Sequence, residues 1–430
     1  MKLTEFSVVL AGMLPTALVG MPTATVTSVS QGADRVLTVA YTMGEEPGVV
    51  TMDVETKAQD GSWSSVGPRA LWYLEGDVNR LVTNGTHEIT WRPDETGDVG
   101  VFDAEHARVR LTAWPTNNPP MYMVVDLCEK ADPRVRYYVS EEALPGGLKK
   151  NPIYKESVIV MRRIYAAGVP WTMGDLSSGA HPVTLDEDFY IGVFELTQAQ
   201  HTTANGAVAT YNYTVEGAHR PSERITYNIL RGTTGNSSSA PETNTPEPTA
   251  SSLLGKLKAL TGVEFEMPTE AQWEFAARAG TMSYEWPNGV RISISGDADA
   301  NLPGRYKFNG GFDVANNAIY NSKADIEHAT AIVGSYESNR WGLYDMAGNV
   351  DEWCRDWYKA DISSLNGACV ENKQSTGAAS DYYRIIRGGH VRWGAGQCRP
   401  TSRNTLPQHG CMDNWGNYVG YRPYAPCCAK

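Results

Sequence analysis

At 430 residues, with 41% hydrophobic and 20% charged residues, the chain is long enough for two or three domains and too apolar for a disordered protein. Its formal net charge of -12 argues against a nucleic-acid partner, because nothing in it is suited to neutralising a run of phosphates. Glycine (41 residues) with tyrosine (22) and tryptophan (12) suits a loop-rich fold with aromatic anchors better than a helical bundle.

Residues 1–23 read as a secretory signal. Met1-Lys2 gives a thin basic start, Phe6 to Gly20 an apolar stretch, and Ala17, Gly20 and Ala24 the small residues of a cleavage region. The alternative is a frayed first strand. Pro15 breaks the stretch, which is too short for a transmembrane helix, and no other segment is suited to spanning a bilayer. A secreted, periplasmic or cell-surface location is expected. The seven cysteines (Cys128, Cys354, Cys369, Cys398, Cys411, Cys427 and Cys428) fit an oxidising compartment. None has CxxC spacing, so no structural zinc is expected.

Residues 24–140 carry an all-strand pattern. Arg35 to Met43 alternates, and Val50, Met52 and Val54 interleave with Thr51, Asp53 and Glu55. Arg80 to Trp91 follows, and then Val109, Leu111 and Ala113 alternate with Arg108 and Arg110. A period of two puts one face in a core and the other in water. With turns at Asp60-Gly61 and Asn84-Gly85, these runs predict an immunoglobulin-like β-sandwich acting as a spacer. The boundary is expected between 140 and 151, around Pro145-Gly146-Gly147.

The rest is α+β, with isolated helices among short strands and long loops. Thr197 to Gln200 and Thr269 to Gln272 are capping boxes, in which the threonine hydroxyl and the glutamine side chain satisfy each other's free amides. Leu253, Leu254, Leu257 and Leu260 form an apolar stripe on a helix ended by Gly262. The helix after Thr269 turns Trp273, Ala276 and Ala277 to the core and stops at Gly280. Residues 233–251, rich in Ser, Thr, Pro, Asn and Glu, are expected to be a mobile insertion loop.

Four segments of this half stand out, Phe189 to Thr197, Met267 to Glu274, Trp341 to Trp353 and Arg387 to Arg422, and together they resemble the formylglycine-generating-enzyme (sulfatase-modifying-factor) family. Phe189 to Thr197 is similar to its opening block, and Met267 to Glu274 to its "LPTEAEWE" helix. Trp341 to Val350 with Glu352-Trp353 is similar to its "GLYDMxGNVWEW" loop. Arg387-Gly388-Gly389, Cys398-Arg399, Arg403 and Gly420-Tyr421-Arg422 follow its closing "RGGS…CR…R…GFR" pattern. One block alone is a weak signal; four in order are specific. The resemblance implies a C-type-lectin-like fold over 150–425.

Asp345 and Glu352, seven residues apart around Gly348 and Asn349, are spaced to wrap a hard cation. The resemblance implies structural calcium held by the side chains of Asp345 and Glu352 and the carbonyls of Gly348 and Val350. The alternative is a turn in which the two carboxylates accept backbone amides.

Family enzymes bind copper with two cysteines, four and nine residues after the second glycine of the closing block, to oxidise a sulfatase cysteine. Here those positions are Trp393 and Cys398, and the serine after the glycines is His390. An indole has no lone pair for a metal, so only half of a two-thiolate copper(I) site is present. The resemblance also suggests Cys354 as a disulfide partner for Cys398. Arg399 and Arg403 are suited to cradling an anion or, the preferred reading, to pairing with core carboxylates.

What is left is a scaffold with an irregular segment, residues 390–419. Its candidate contact residues are His390, Arg392, Trp393 and Gln397, then His409, Met412 and Asp413, and finally Asn414, Trp415, Asn417 and Tyr418. Aromatic and amide side chains on a rigid core are the chemistry of a binding surface. The expectation is an exported binding protein for a protein or glycan ligand, of the non-catalytic branch. Retroelement-diversified relatives vary this same stretch. The alternatives are a divergent copper-dependent formylglycine-generating oxidase and a pseudoenzyme in which Trp393 and Trp415 are core.

Overall fold

The computed structural model describes residues 20–93, 106–128, 133–175, 179–206, 217–232, 247–280, 304–309, 329–370, 383–407 and 418–427. It forms two compact units, Met1–Gly67 with Leu74–Thr116, and Pro68–Tyr73 with Asn117–Lys430. Of the expected signal segment, residues 1–19 lie outside the described residues.

The first unit is all β: β1 (Thr23–Gln31), β2 (Leu37–Gly44), β3 (Gly48–Lys57), β4 (Trp63–Ser65), β5 (Leu74–Gly76), β6 (Arg80–Val82), β7 (Gly85–Trp91) and β8 (Ala107–Pro115). One sheet runs β1-β2-β7-β5; in the other, β3 pairs β8 along its length and β4 and β6 over shorter stretches. The first order is that of the A-B-E-D sheet of an immunoglobulin sandwich. The alternation read from the sequence sets the register. Val50, Met52 and Val54 lie opposite Ala113, Leu111 and Val109, while Asp53 and Glu55 lie opposite Arg110 and Arg108. Apolar residues therefore meet on one face and opposite charges on the other.

The second unit begins earlier than the expected boundary. β9 (Tyr122–Asp126) and β10 (Val135–Tyr138), which the sequence reading gave to the sandwich, join β11 (Val158–Ile164), β14 (Phe189–Gly192) and β19 (Tyr424–Pro426). The sheet order is β10-β9-β11-β14-β19, antiparallel throughout. The chain therefore divides after Thr116, not at 140–151. A strand is assigned by what it pairs with, and alternation does not report the partner.

A second sheet, β17-β16-β15-β18, contains β15 (Asp351–Trp357), β16 (Tyr383–Arg387), β17 (Asn404–Pro407) and β18 (Val419–Gly420). The pair β12 (Pro170–Met173) and β13 (His181–Thr184) stands apart. Around them lie α1 (Ile153–Glu156), α2 (Gln198–Asn205), α3 (Tyr227–Arg231), α4 (Leu253–Thr261) and α5 (Glu270–Arg278). Both capping boxes form: the Thr197 and Thr269 hydroxyls accept the Gln200 and Gln272 amides at 3.1 and 3.2 Å. Gly262 caps α4 in the left-handed region, whereas α5 is capped by Ala279, one residue before the expected Gly280. Trp273, Ala276 and Ala277 are buried as expected, but so are Glu270, Glu274 and Arg278 on the same helix. Of the insertion loop, residues 233–246 lie outside the described residues.

Strands β9 and β10 bring six buried side chains to the second unit: Tyr122, Met123, Val124, Val125, Leu127 (just past β9) and Tyr138. At roughly 1.5–3 kcal/mol each, they rival the ~5–15 kcal/mol total stability of a domain. A chain starting at Asn117 is expected to unfold cooperatively in calorimetry, and one starting at Glu141 to show no such transition.

Candidate functional site

The loop before β15 is shaped by backbone conformation. Asp345 and Asn349 have φ of 56° and 64°, and Gly348 has φ of 84°. A Cβ on Gly348 would lie 2.1 Å from the Arg305 carbonyl oxygen, so only glycine fits there. Asp345 Oδ2 accepts the Gly334 amide at 2.6 Å, while its Oδ1 is buried without a hydrogen bond. Glu195 accepts Asn349 Nδ2 at 2.6 Å and the Val350 amide at 3.2 Å. Glu352 is held by Arg422, whose Nη2 donates to Oε1 at 2.7 Å, and by Trp273 Nε1, which donates to Oε2 at 2.6 Å.

Three buried carboxylates, Glu195, Asp345 and Glu352, thus act on the buried guanidinium of Arg422, and Lys155 also acts on Asp345. Burial, and then the charges of Asp345 and Glu352, push Glu195 well above the usual carboxylate range. Burial raises Asp345 to about 6. A divalent cation would offset this surplus of negative charge, and Asp345 has an oxygen to give it. Glu352 accepts from Arg422 and Trp273, and a cation would share its oxygens with those donors. Among the described residues, no three or more His, Cys, Asp or Glu side chains are grouped to hold a metal ion.

The closing block is organised by arginines. Arg387, fully buried, donates from Nε to Glu270 at 3.1 Å and from Nη2 to Glu274 at 2.7 Å. Its Nη1 donates to the carbonyls of Pro400 and Ser402. Arg403 grips Glu270 through Nε and Nη2 at 2.6 and 2.9 Å, and Arg399 Nη1 reaches Asp175 at 3.2 Å. These are the core-carboxylate pairings expected of Arg399 and Arg403. The burial of Glu270 would raise its pKa, but Arg387 and then Arg403 outweigh it and hold the carboxyl below its usual range.

Gly388 and Gly389 have φ of 94° and 73°, and a Cβ on Gly389 would lie 2.7 Å from Cys398 Sγ. The glycine pair brings the backbone down onto Cys398, which has no exposed surface. Cys354 is a buried free thiol, so the expected Cys354–Cys398 bridge is not formed. Cys354 packs among Leu343, Met346 and Trp357, whereas Cys398 packs with Tyr306, Ala347 and Ala395.

The structure separates the expected contact residues into three groups. His390 and Tyr418 are buried, not displayed, and their rings stack at 4.8 Å. Arg392 donates from Nη1 to the Tyr418 hydroxyl at 3.1 Å. Trp393, half-buried, aims Nε1 at Asp351 Oδ2, 3.4 Å away. Asp351 Oδ2 also lies 3.7 Å from His390 Nε2. Burial, and then Arg392, push His390 well below its ordinary range, and burial raises Asp351 to about 7. Gln397 alone of the described set is exposed. His409, Met412, Asp413, Asn414, Trp415 and Asn417 lie outside the described residues.

The sequence reading passed over Asp351, Glu195 and Asp175. Asp351 had a signal: it stands where the family loop has a tryptophan, while Trp393 stands where the family has a cysteine. Glu195 and Asp175 had none, because burial of a lone acid is not written in its neighbours.

Removing one partner of a buried ion pair leaves the other charge stranded. Arg387→Met is expected to lower the urea unfolding free energy by ~3–5 kcal/mol, and Gln397→Ala by no more than ~0.5 kcal/mol. Because Glu270 is depressed in the folded state, its contribution is present above about pH 4.3 and lost as pH falls through its lower folded value. Arg387→Met should flatten that acid limb.

Among curated relatives, the formylglycine-generating enzyme of Streptomyces coelicolor is 35% identical over 123 residues, covering 29% of this chain and 35% of that protein. Serine/threonine-protein kinase pkn1 of Chlamydia pneumoniae is 38% identical over 123 residues, covering 29% of this chain and 15% of the kinase. The chaperone protein LppX of Paenibacillus barcinonensis is 29% identical over 194 residues, covering 41% of this chain and 64% of that one. The chain therefore matches less than two thirds of each of these relatives. PvdO from Pseudomonas aeruginosa superposes with a TM-score of 0.45 at 19% identity, over 62% of this chain and 94% of that one. Treponema denticola variable protein 1 gives 0.42 at 22% identity, over 63% and 95%. The model of the sulfatase-modifying factor enzyme 1-like domain matches residues 159–422, well over half of the chain, which therefore belongs to that family.

Proposed function

We propose that this chain is an exported binding member of the family, in which the segment from His390 to Val419 engages a protein or glycan ligand. The observation that carries this reading is the donor set at the family's copper position. Cys398 is fully buried beneath Gly389, and the place of the other thiolate holds Trp393, whose indole is turned to Asp351. A carboxylate and an indole do not replace a soft thiolate, so the residues present do not fit copper(I). The buried His390 and Tyr418 anchor the two ends of the segment, and contact chemistry falls to what lies between. Export rests on the leader-like residues 1–23. Among the described residues no helix is long and apolar enough to cross a membrane.

The purified chain, given copper and a Cys-x-Pro-x-Arg peptide, is expected to leave the peptide mass unchanged. A copper-dependent mass loss would overturn the binding reading in favour of the oxidase. The same reading extends to retroelement diversification, for which a near-repeat of the codons for residues 390–419 beside a reverse-transcriptase gene is the test.

We also propose structural calcium at Asp345, Glu352 and the carbonyls of Gly348 and Val350, supported by the unpaired Asp345 Oδ1. Calcium at a hundredfold excess over its Kd should add about 2.7 kcal/mol of stability. Asp345→Asn should abolish that gain; an equal gain in the variant would refute the site.

A further inference from the structure

Arg399 and Arg403 also wall a cleft of about 830 Å³ within the second unit, a size in the ~300–1,000 Å³ range of small-ligand sites. Its lining includes Gln397 and Ser402 from the closing block and Tyr358, Asp361 and Ser363 from the segment after β15. Two arginines suggest an anion at first sight. The hydrogen bonds argue otherwise.

Arg403 directs Nε and Nη2 to Glu270 and its Nη1 to the Ala360 carbonyl. Arg399 gives Nε to the Gly396 carbonyl and Nη1 to Asp175, which also accepts the Thr401 hydroxyl at 2.6 Å. Each guanidinium therefore already faces a buried carboxylate, Asp175 for Arg399 and Glu270, shared with Arg387, for Arg403. An incoming anion would have to compete with Glu270, Asp175 and the carbonyls of Ala360 and Gly396 for Nε, Nη1 and Nη2 of Arg403 and for Nε and Nη1 of Arg399. The exposed Asp361 adds negative charge: its Oδ1 accepts the Ser363 amide and hydroxyl.

What the cleft offers is a carboxylate oxygen, the Gln397 amide as donor and acceptor, hydroxyl oxygens with spare lone pairs, and the ring of Tyr358. Neighbouring hydroxyls on a ring match that set, since each both gives and accepts a hydrogen bond, while the ring's C–H face packs on an aromatic. We infer that this cleft binds a neutral saccharide. The inference rests on the binding reading above and names the ligand class and its seat.

The test is calorimetric titration of the full chain with cellohexaose, chitohexaose and mannohexaose, and with a sulfated heparin hexasaccharide as the anionic counterpart. At least one neutral probe should bind saturably and more tightly than the sulfated one. Gln397→Ala should weaken it about tenfold. Ser363→Trp, at an exposed position, should abolish it by filling the cleft without moving the unfolding temperature. The inference is overturned if no neutral probe binds at millimolar concentration, if the sulfated probe binds more tightly, or if binding survives Ser363→Trp. Failure with the cysteine peptide still unoxidised refutes the saccharide cleft alone; oxidation of that peptide refutes the binding reading beneath it.

Discussion

Two guanidinium groups without exposed surface, those of Arg387 and Arg422, tie together parts of the second unit that are far apart in the chain. Arg387, at the end of β16, reaches both acids of α5 and the carbonyls of Pro400 and Ser402. Arg422, just before β19, reaches Glu352 in β15 and the carbonyls of Gly192, Val193 and Tyr344. A buried charge is tolerated only when its donors and acceptors are satisfied together. Each arginine therefore fixes several backbone segments at once, and little regular structure is needed between them. Such pairs add less net stability than their number suggests. Their effect is to make alternative packings expensive, because each would strand a charge.

This requirement explains what was legible in the sequence. Three of the four motif blocks contain the partners themselves: Glu270 and Glu274, Glu352, and Arg387 with Arg403 and Arg422. Residues that must satisfy one another in the interior keep their identity and spacing, so the family could be read from them. The capping boxes were legible for a local reason, since both partners lie within four residues. The alternation of β3 and β8 was legible because one face of each strand meets water.

What could not be read depends on partners distant in the chain. β9 is a continuous apolar run buried on both faces, which names no partner; only its hydrogen bonds to β10 and β11 place it in the second unit. The polar residues of α5 look like a solvent face until Arg387 and Arg403 are set against them. His390 and Tyr418 have the composition of a contact surface, yet their stacking makes them a root for the segment. Aromatic side chains serve either purpose, and composition does not separate the two.

The closing segment is therefore built in two layers with different tolerances. The donors of Arg387, Arg399 and Arg403 described above go to Asp175, Glu270, Glu274 and backbone carbonyls, and none goes to a side chain between His390 and Gln397. The framework is thus complete without those side chains. A thiolate pair could be lost at Trp393 without unpairing a buried charge, provided that something filled the space, and an indole directed at Asp351 does so. Asp351 in turn occupies the place of the family loop's tryptophan, so both partners of this contact depart from the family pattern. Change at this point leaves the arginine network untouched, which is the condition a fold must meet to carry a new function on an old frame.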